Sequence, residues 1–207
     1  MWAATSRPET IAKRFRLKPP NMPVSVDQSE ANAGGDVVAG NKSVVVYESA
    51  KVISIVESLL TKLKIEVSDN SSINHTIDAL KYFHEKKPSD GIVGLEAKLT
   101  HGGRHHEIWS ALDKKEQFSK LLDKWSLYLS AQELFAFLLA RAEHQFTMFV
   151  YPQLDELRQI EINAIVDSKI INPTIDECGT SVFTINHNIA MGMVYWLAEQ
   201  CFIRWHK

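Results

Sequence analysis

Cysteine is nearly missing from this chain of 207 residues, with Cys178 and Cys201 the only two. Two thiols are too few for a disulfide scaffold or a Cys-based zinc site, and the scarcity fits a reducing compartment, so the expected location is the cytosol. A surplus of charge of one sign is lacking too. The formal net charge is −2, so nothing global draws the chain to nucleic acid or to an anionic membrane, and such binding would need a local patch. Nor is there a long uninterrupted apolar run. The most apolar stretch, residues 127–151, carries Glu133, Arg141, Glu143 and His144, which are too costly at mid-bilayer for a membrane span. The first twenty residues are broken by Arg7, Lys13, Arg14, Arg16 and Lys18, which excludes the apolar core of a secretory signal.

Proline is scarce and unevenly spread: four of the seven, Pro8, Pro19, Pro20 and Pro23, fall within the first 35 residues. That segment also holds five basic residues and a small, polar run over residues 28–35. It has too little apolar surface to offset the entropy of ordering, so a disordered, flexible arm is expected over residues 1–35. The rest, residues 36–207, contains enough apolar side chains for a core, the whole chain being 45% hydrophobic and 23% charged. A domain of this size buries roughly 70% of its unfolded surface and needs neither disulfide nor metal to hold it.

Val37-Val38 and Val44-Val45-Val46 flank Gly40-Asn41-Lys42, two β-branched runs around a turn, which predicts a small hairpin. From Ser49 the period changes to three and four residues. Val52, Val56, Leu59, Leu60 and Leu63 form one helical stripe. Ser72 is the expected N-cap of a second helix carrying Ile73, Ile77, Leu80 and Phe83, ended by Pro88-Ser89-Asp90-Gly91. A short helix over residues 95–99 should stop at Gly102-Gly103, and another over residues 104–122 looks partly solvated. Residues 130–150 place Leu134, Phe135, Phe137, Leu138, Leu139, Phe146, Met148 and Phe149 almost all round a helix, and His144 in that run is expected in the core. A further helix runs from Leu154 toward Pro173. The closing residues 185–207 are apolar on nearly every side, with Ile189, Met191, Met193, Val194, Trp196, Leu197, Phe202, Ile203 and Trp205. Two such helices exceed what one modest domain would hide, so a partner subunit is expected to cover the excess.

Each candidate for chemistry has a plainer explanation. Gly35-Asp36-Val37-Val38-Ala39-Gly40-Asn41-Lys42-Ser43 has the glycine spacing of a phosphate-binding loop, but Asn41 stands before the lysine and no helix follows, so a hairpin turn fits better. His101, His105, His106 and Glu107 are able to bind metal, yet His105 and His106 diverge on a helix and no second cluster supplies further ligands. Arg104 beside them could touch an anion. Cys178 with His187 lacks an orienting third group. Asp155, Glu156 and Glu161 share a helix with Arg158 and read as a solvated face. Arg141 with His144, and Arg204 with His206, evoke a helical RNase with too short a spacing; combined histidines at a dimer interface form the enzymatic alternative, as does a metal-dependent hydrolase using His105 and His106. Lys13, Arg14, Arg16 and Lys18 around Phe15 could tether a nucleic-acid backbone.

The stretches Gly94-Leu95-Glu96-Ala97-Lys98-Leu99-Thr100 and Ser126-Leu127-Tyr128-Leu129-Ser130-Ala131-Gln132-Glu133, in this order of elements, resemble the C-terminal domains of bacterial ABC-three-component systems, the Lamassu-type anti-phage defence proteins. The resemblance spans residues 36–207. It implies a module that docks an effector to an SMC-like ATPase complex sensing foreign or damaged DNA, with a toxic domain ahead of it. Only the 35-residue arm precedes it here, too short for a nuclease fold, so an adaptor or assembly subunit is implied, and no catalytic residue carries over.

The expected fold is thus mainly α, a bundle of about six helices with a small N-terminal β-hairpin and a disordered arm. The expected role is a non-enzymatic, homo-oligomeric assembly module of a cytoplasmic defence complex. It would have no cofactor, no metal and no catalytic residue, and its nucleic-acid contact would be at most indirect. Its interface would use Val44, Val45, Val46, Phe135, Leu138, Met193, Trp196, Ile203 and Trp205.

Overall fold

The first helix carries four of the five residues of the sequence stripe, Val52 lying outside the described residues. In the computed structural model, which describes residues 53–85, 91–179 and 181–207, α1 spans Ile55–Ser68, and the Ser54 hydroxyl accepts the Glu57 N–H at 3.0 Å. That N-cap satisfies one orphan donor, and Val56, Leu59, Leu60 and Leu63 are buried as one stripe. The stripe packs on α5, Leu129–Gln145. At the far end of α1 the Glu66 carboxylate accepts the Ser130 N–H at 3.1 Å and its hydroxyl at 2.6 Å, placing a negative charge at the start of α5, where the helix dipole favours it.

The second helix starts later than its sequence suggests. α2 spans Asp78–His84 with Ile77 at the N-cap and no side-chain cap. Ser72 and Ile73 lie in the connection before it, held by the Ile73 N–H on the Leu127 carbonyl at 2.8 Å. The cap is replaced by a distant side chain: buried Gln132 of α5 accepts the Ile77 N–H at 2.7 Å and donates to the His75 and Ser126 carbonyls at 2.9 and 2.6 Å. Leu80 and Phe83 then bury α2 against α5.

α3, Leu95–His101, stops at Gly102 as expected. A 3-10 turn over His105–Glu107 leads into α4, Ile108–Trp125. The main packing is between α4 and α8, His187–Glu199. Gly192 makes it possible, because a Cβ there would stand 2.1 Å from the Lys114 carbonyl oxygen of α4. Phe118 of α4, Phe135 of α5 and Trp196 of α8 meet edge to face, with ring centroids 6.0–6.1 Å apart, and Phe183 stacks on Phe135 at 5.5 Å. α3 and α8 also clasp each other's ends. Fully buried Lys98 donates from Nζ to the Ala198 carbonyl at 2.6 Å at the end of α8, and Glu199 accepts the Leu95 N–H at 2.9 Å at the start of α3.

Two wide π turns interrupt the regular coil. Phe146–Val150 extends α5, and Asp167–Ile171 joins α6, Gln159–Val166, to α7, Asn172–Cys178. The helix expected to run toward Pro173 continues past it, to Cys178. Pro173 stands in the first turn of α7, where a missing N–H costs least, just after the widened turn.

The fold class is corrected accordingly. The described residues form eight α-helical segments, α6 and α7 being continuous, instead of about six, and contain no strand element. The hairpin expected around residues 37–46 and the arm over residues 1–35 lie outside the described residues. No helix among the described residues is long and apolar enough to cross a membrane.

Candidate functional site

Where the chain turns from α3 into α4, Arg104 is only 3% exposed. A buried guanidinium needs partners for its fork of donors. Its Nε donates to Glu107 Oε2 at 3.1 Å, its Nη2 lies 2.9 Å from Glu107 Oε1 and donates to Asn163 Oδ1 of α6 at 2.5 Å. Its flat face lies 4.6 Å from the centre of the Trp205 ring. Tyr195 of α8 donates its hydroxyl to Glu107 Oε2 at 3.4 Å. Burial, reinforced by the charge of Glu107, pushes the Tyr195 hydroxyl well above the usual phenol range, so it stays protonated. Beside this cluster is a cavity of about 240 Å³, lined also by Lys114 and by Asp167 at the start of the second π turn. Nε and Nη2 of Arg104 are committed to Glu107 and Asn163, so the cluster ties α4, α6, α8 and the final residues together.

The second concavity is of the opposite character. Between α2 and α5 runs an open groove of about 590 Å³, walled by Ile77, Tyr82, Phe83 and Phe137, with Ala136 and Ala140 on its floor and Glu133 and Glu143 as its charged lining among the described residues. Tyr82 is 42% exposed although its ring touches Phe83 and Phe202, with centroids 5.0 and 5.2 Å apart. An apolar trough between two helices is the usual receptor for a third.

Residues 94–205, more than half of the chain, match the profile of C-terminal domain 9 of the ABC-three component (ABC-3C) systems. The chain belongs to this family. The matched span opens at Gly94, the N-cap of α3, and closes on Trp205, so it contains every member of the Arg104 cluster and one wall of the groove. As an ABC-3C domain it is a part of a multi-component system. No curated protein and no solved structure matches it.

Within the ABC-3C domain, the residues expected at an interface are core residues. Phe135, Leu138, Met193, Trp196, Ile203 and Trp205 are all between 0 and 4% exposed within a single copy. The physical reason is that α5 has α1, α2 and α8 around it, while α4, α3 and the final residues wrap α8. Val44, Val45 and Val46, and the basic Lys13, Arg14, Arg16 and Lys18, lie outside the described residues.

The candidates for chemistry are dispersed. His105 and His106 are exposed, their rings perpendicular and 6.0 Å apart, and no three His, Cys, Asp or Glu side chains among the described residues gather closely enough to hold a metal. His144 is exposed on α5, not in the core as expected. Its neighbour Arg141 is held by Glu177 at 2.6 Å and by Thr174 at 3.3 Å. Cys178 is buried, and desolvation pushes its thiol up to about 11, which disfavours the thiolate a nucleophile needs. His187 opens α8 at the surface. Glu161 accepts the Arg158 backbone N–H at 2.9 Å and its guanidinium at 3.2 Å, and these hydrogen bonds hold the carboxyl below its usual range.

Sequence reasoning noticed Arg104 as an anion contact but missed Glu107, Asn163 and Tyr195 as its partners. The pair at i and i+3 was visible; Asn163 and Tyr195 arrive from helices 59 and 91 residues away, and no local pattern announces them.

Proposed function

We propose that this ABC-3C domain is a non-enzymatic adaptor of a bacterial anti-phage defence system, docking onto a partner subunit. The partner implied by the Lamassu-type resemblance is an SMC-like ATPase. The family match over residues 94–205 carries this reading. The chemistry of the side chains agrees with it: the buried thiol and phenol are held in their protonated forms, and Nε and Nη2 of the buried guanidinium are spent on internal partners. Because the interface residues expected on α5 and α8 are buried in one copy, docking is assigned to the open α2–α5 groove.

The test is co-expression with the other subunits of its own system, followed by gel filtration with light scattering. The adaptor reading expects co-elution in a complex larger than the 23.4 kDa single chain. Elution alone, with the ATPase subunit present and folded, would overturn it.

A further inference from the structure

The cavity of about 240 Å³ beside Arg104 is walled by α4, α6 with its π turn, and α8. Glu107, Asn163 and Tyr195 meet at its Arg104 end. Lys114 lies seven residues after Glu107, Asp167 four after Asn163 and Met191 four before Tyr195, and all three line the same space. Asp167 opens the second π turn, a widening of the kind that recurs at functional sites. Half-buried Lys114 and exposed Asp167 bring opposite charges to one cavity without pairing. Neither side chain has a hydrogen-bond or ion-pair partner among the described residues.

Arg104 adds an open donor edge. Its Nε and Nη2 are spent on Glu107 and Asn163, whereas Nη1 has no partner among the described residues and is not sealed from solvent. Val166 and Met191 supply an apolar wall. The space is smaller than the roughly 300–1,000 Å³ of drug-sized pockets. Two cationic donors, one unspent carboxylate and an apolar wall around so small a volume match a compact dipolar molecule.

We propose that this cavity binds a free zwitterionic α-amino acid with a short apolar side chain. The ligand carboxylate meets Lys114 and the Nη1 edge of Arg104, its ammonium meets Asp167, and its side chain packs on Val166 and Met191. Charge-assisted hydrogen bonds of this kind are stronger in a partly dry site than in water. A molecule lacking either charge leaves Lys114 or Asp167 facing the ligand unpaired, which supplies the discrimination. The site lies apart from the α2–α5 groove and does not depend on the adaptor reading.

The probes are L-leucine and L-valine, titrated into the full chain by isothermal titration calorimetry. Two analogues of leucine serve as comparisons: 4-methylpentanoate, which lacks the amine, and 3-methylbutylamine, which lacks the carboxylate. At least one of the amino acids is expected to saturate a single site at millimolar concentration or below, with both analogues at least tenfold weaker. Asp167→Asn should bring the amino acid down to the affinity of 4-methylpentanoate, and Lys114→Met to that of 3-methylbutylamine. Neither side chain has a partner to lose among the described residues, so both variants should keep the wild-type melting temperature. The ligand comparison on the wild type decides the matter even where a variant does not fold. Absence of saturable heat with both amino acids, an analogue binding as tightly as they do, or undiminished binding to both folded variants would overturn the site.

Discussion

Gly192 carries a geometric demand out of proportion to its size. With a Cβ position 2.1 Å from the Lys114 carbonyl and 3.1 Å from the Phe118 Cβ, no side chain fits without moving α4 from α8. Gly192→Ala is therefore expected to cost about 1–3 kcal/mol, the range for overpacking, read as a lower denaturant midpoint. Cys178 is a second residue with a measurable signature. With its thiol raised to about 11, alkylation by iodoacetamide at pH 8 should be about a hundredfold slower in the native protein than in urea, since little thiolate forms. Because the folded value exceeds the unfolded one, the neutral thiol's contribution to stability is complete below about pH 9 and is lost as pH rises toward about 11. Native alkylation as fast as in urea would show that the thiol is not shielded. Residues of this kind are partly legible: glycine in an apolar helix hints at close approach, but the carbonyl it accommodates is 78 positions away.

At the scale of elements, the hydrophobic stripes located α1, α3, α4 and the long α5, because burial on one face imposes its period on the sequence. Caps were less legible. Ser72 had the right chemistry for an N-cap, yet the chain spends residues 70–77 reaching α5, and Gln132 supplies the acceptor that a local cap would have given. That glutamine bridges three backbone groups while 1% exposed. Gln132→Leu keeps the apolar environment but leaves one donor and two acceptors unpaired, so a loss of about 2–4 kcal/mol is expected. Hydrogen exchange should show residues 73–84 opening well before α4 and α8, and unchanged protection there would refute the bridge. The π turns also defied the pattern. A one-residue expansion does not disturb a coarse apolar period, so nothing in the sequence marked where the turns widen.

At the scale of the whole molecule, the sequence suggested more apolar helix than one copy could cover. That estimate counted apolar side chains and not the number of neighbours each helix acquires. Once α5 and α8 are each flanked by several helices and by the final residues, the six described interface candidates are enclosed. Large apolar side chains do remain outside, among them Trp109, Ile160 and Met148, and the trough between α2 and α5 is built from two segments whose pairing no single stretch could reveal. The family resemblance did identify the ABC-three-component family, matched over residues 94–205 instead of the expected 36–207. One more feature links the scales. After α8, Cys201 adopts a left-handed backbone with φ 66°, and the chain doubles back to bring Trp205 beneath the Arg104 guanidinium. The last seven residues thus act as a cork. Uncorking the molecule, by a premature stop after Gln200, would flood the ion pair with water and release α4, α6 and α8 from a common anchor. Damage at the extreme carboxyl end would then register as global loosening instead of fraying.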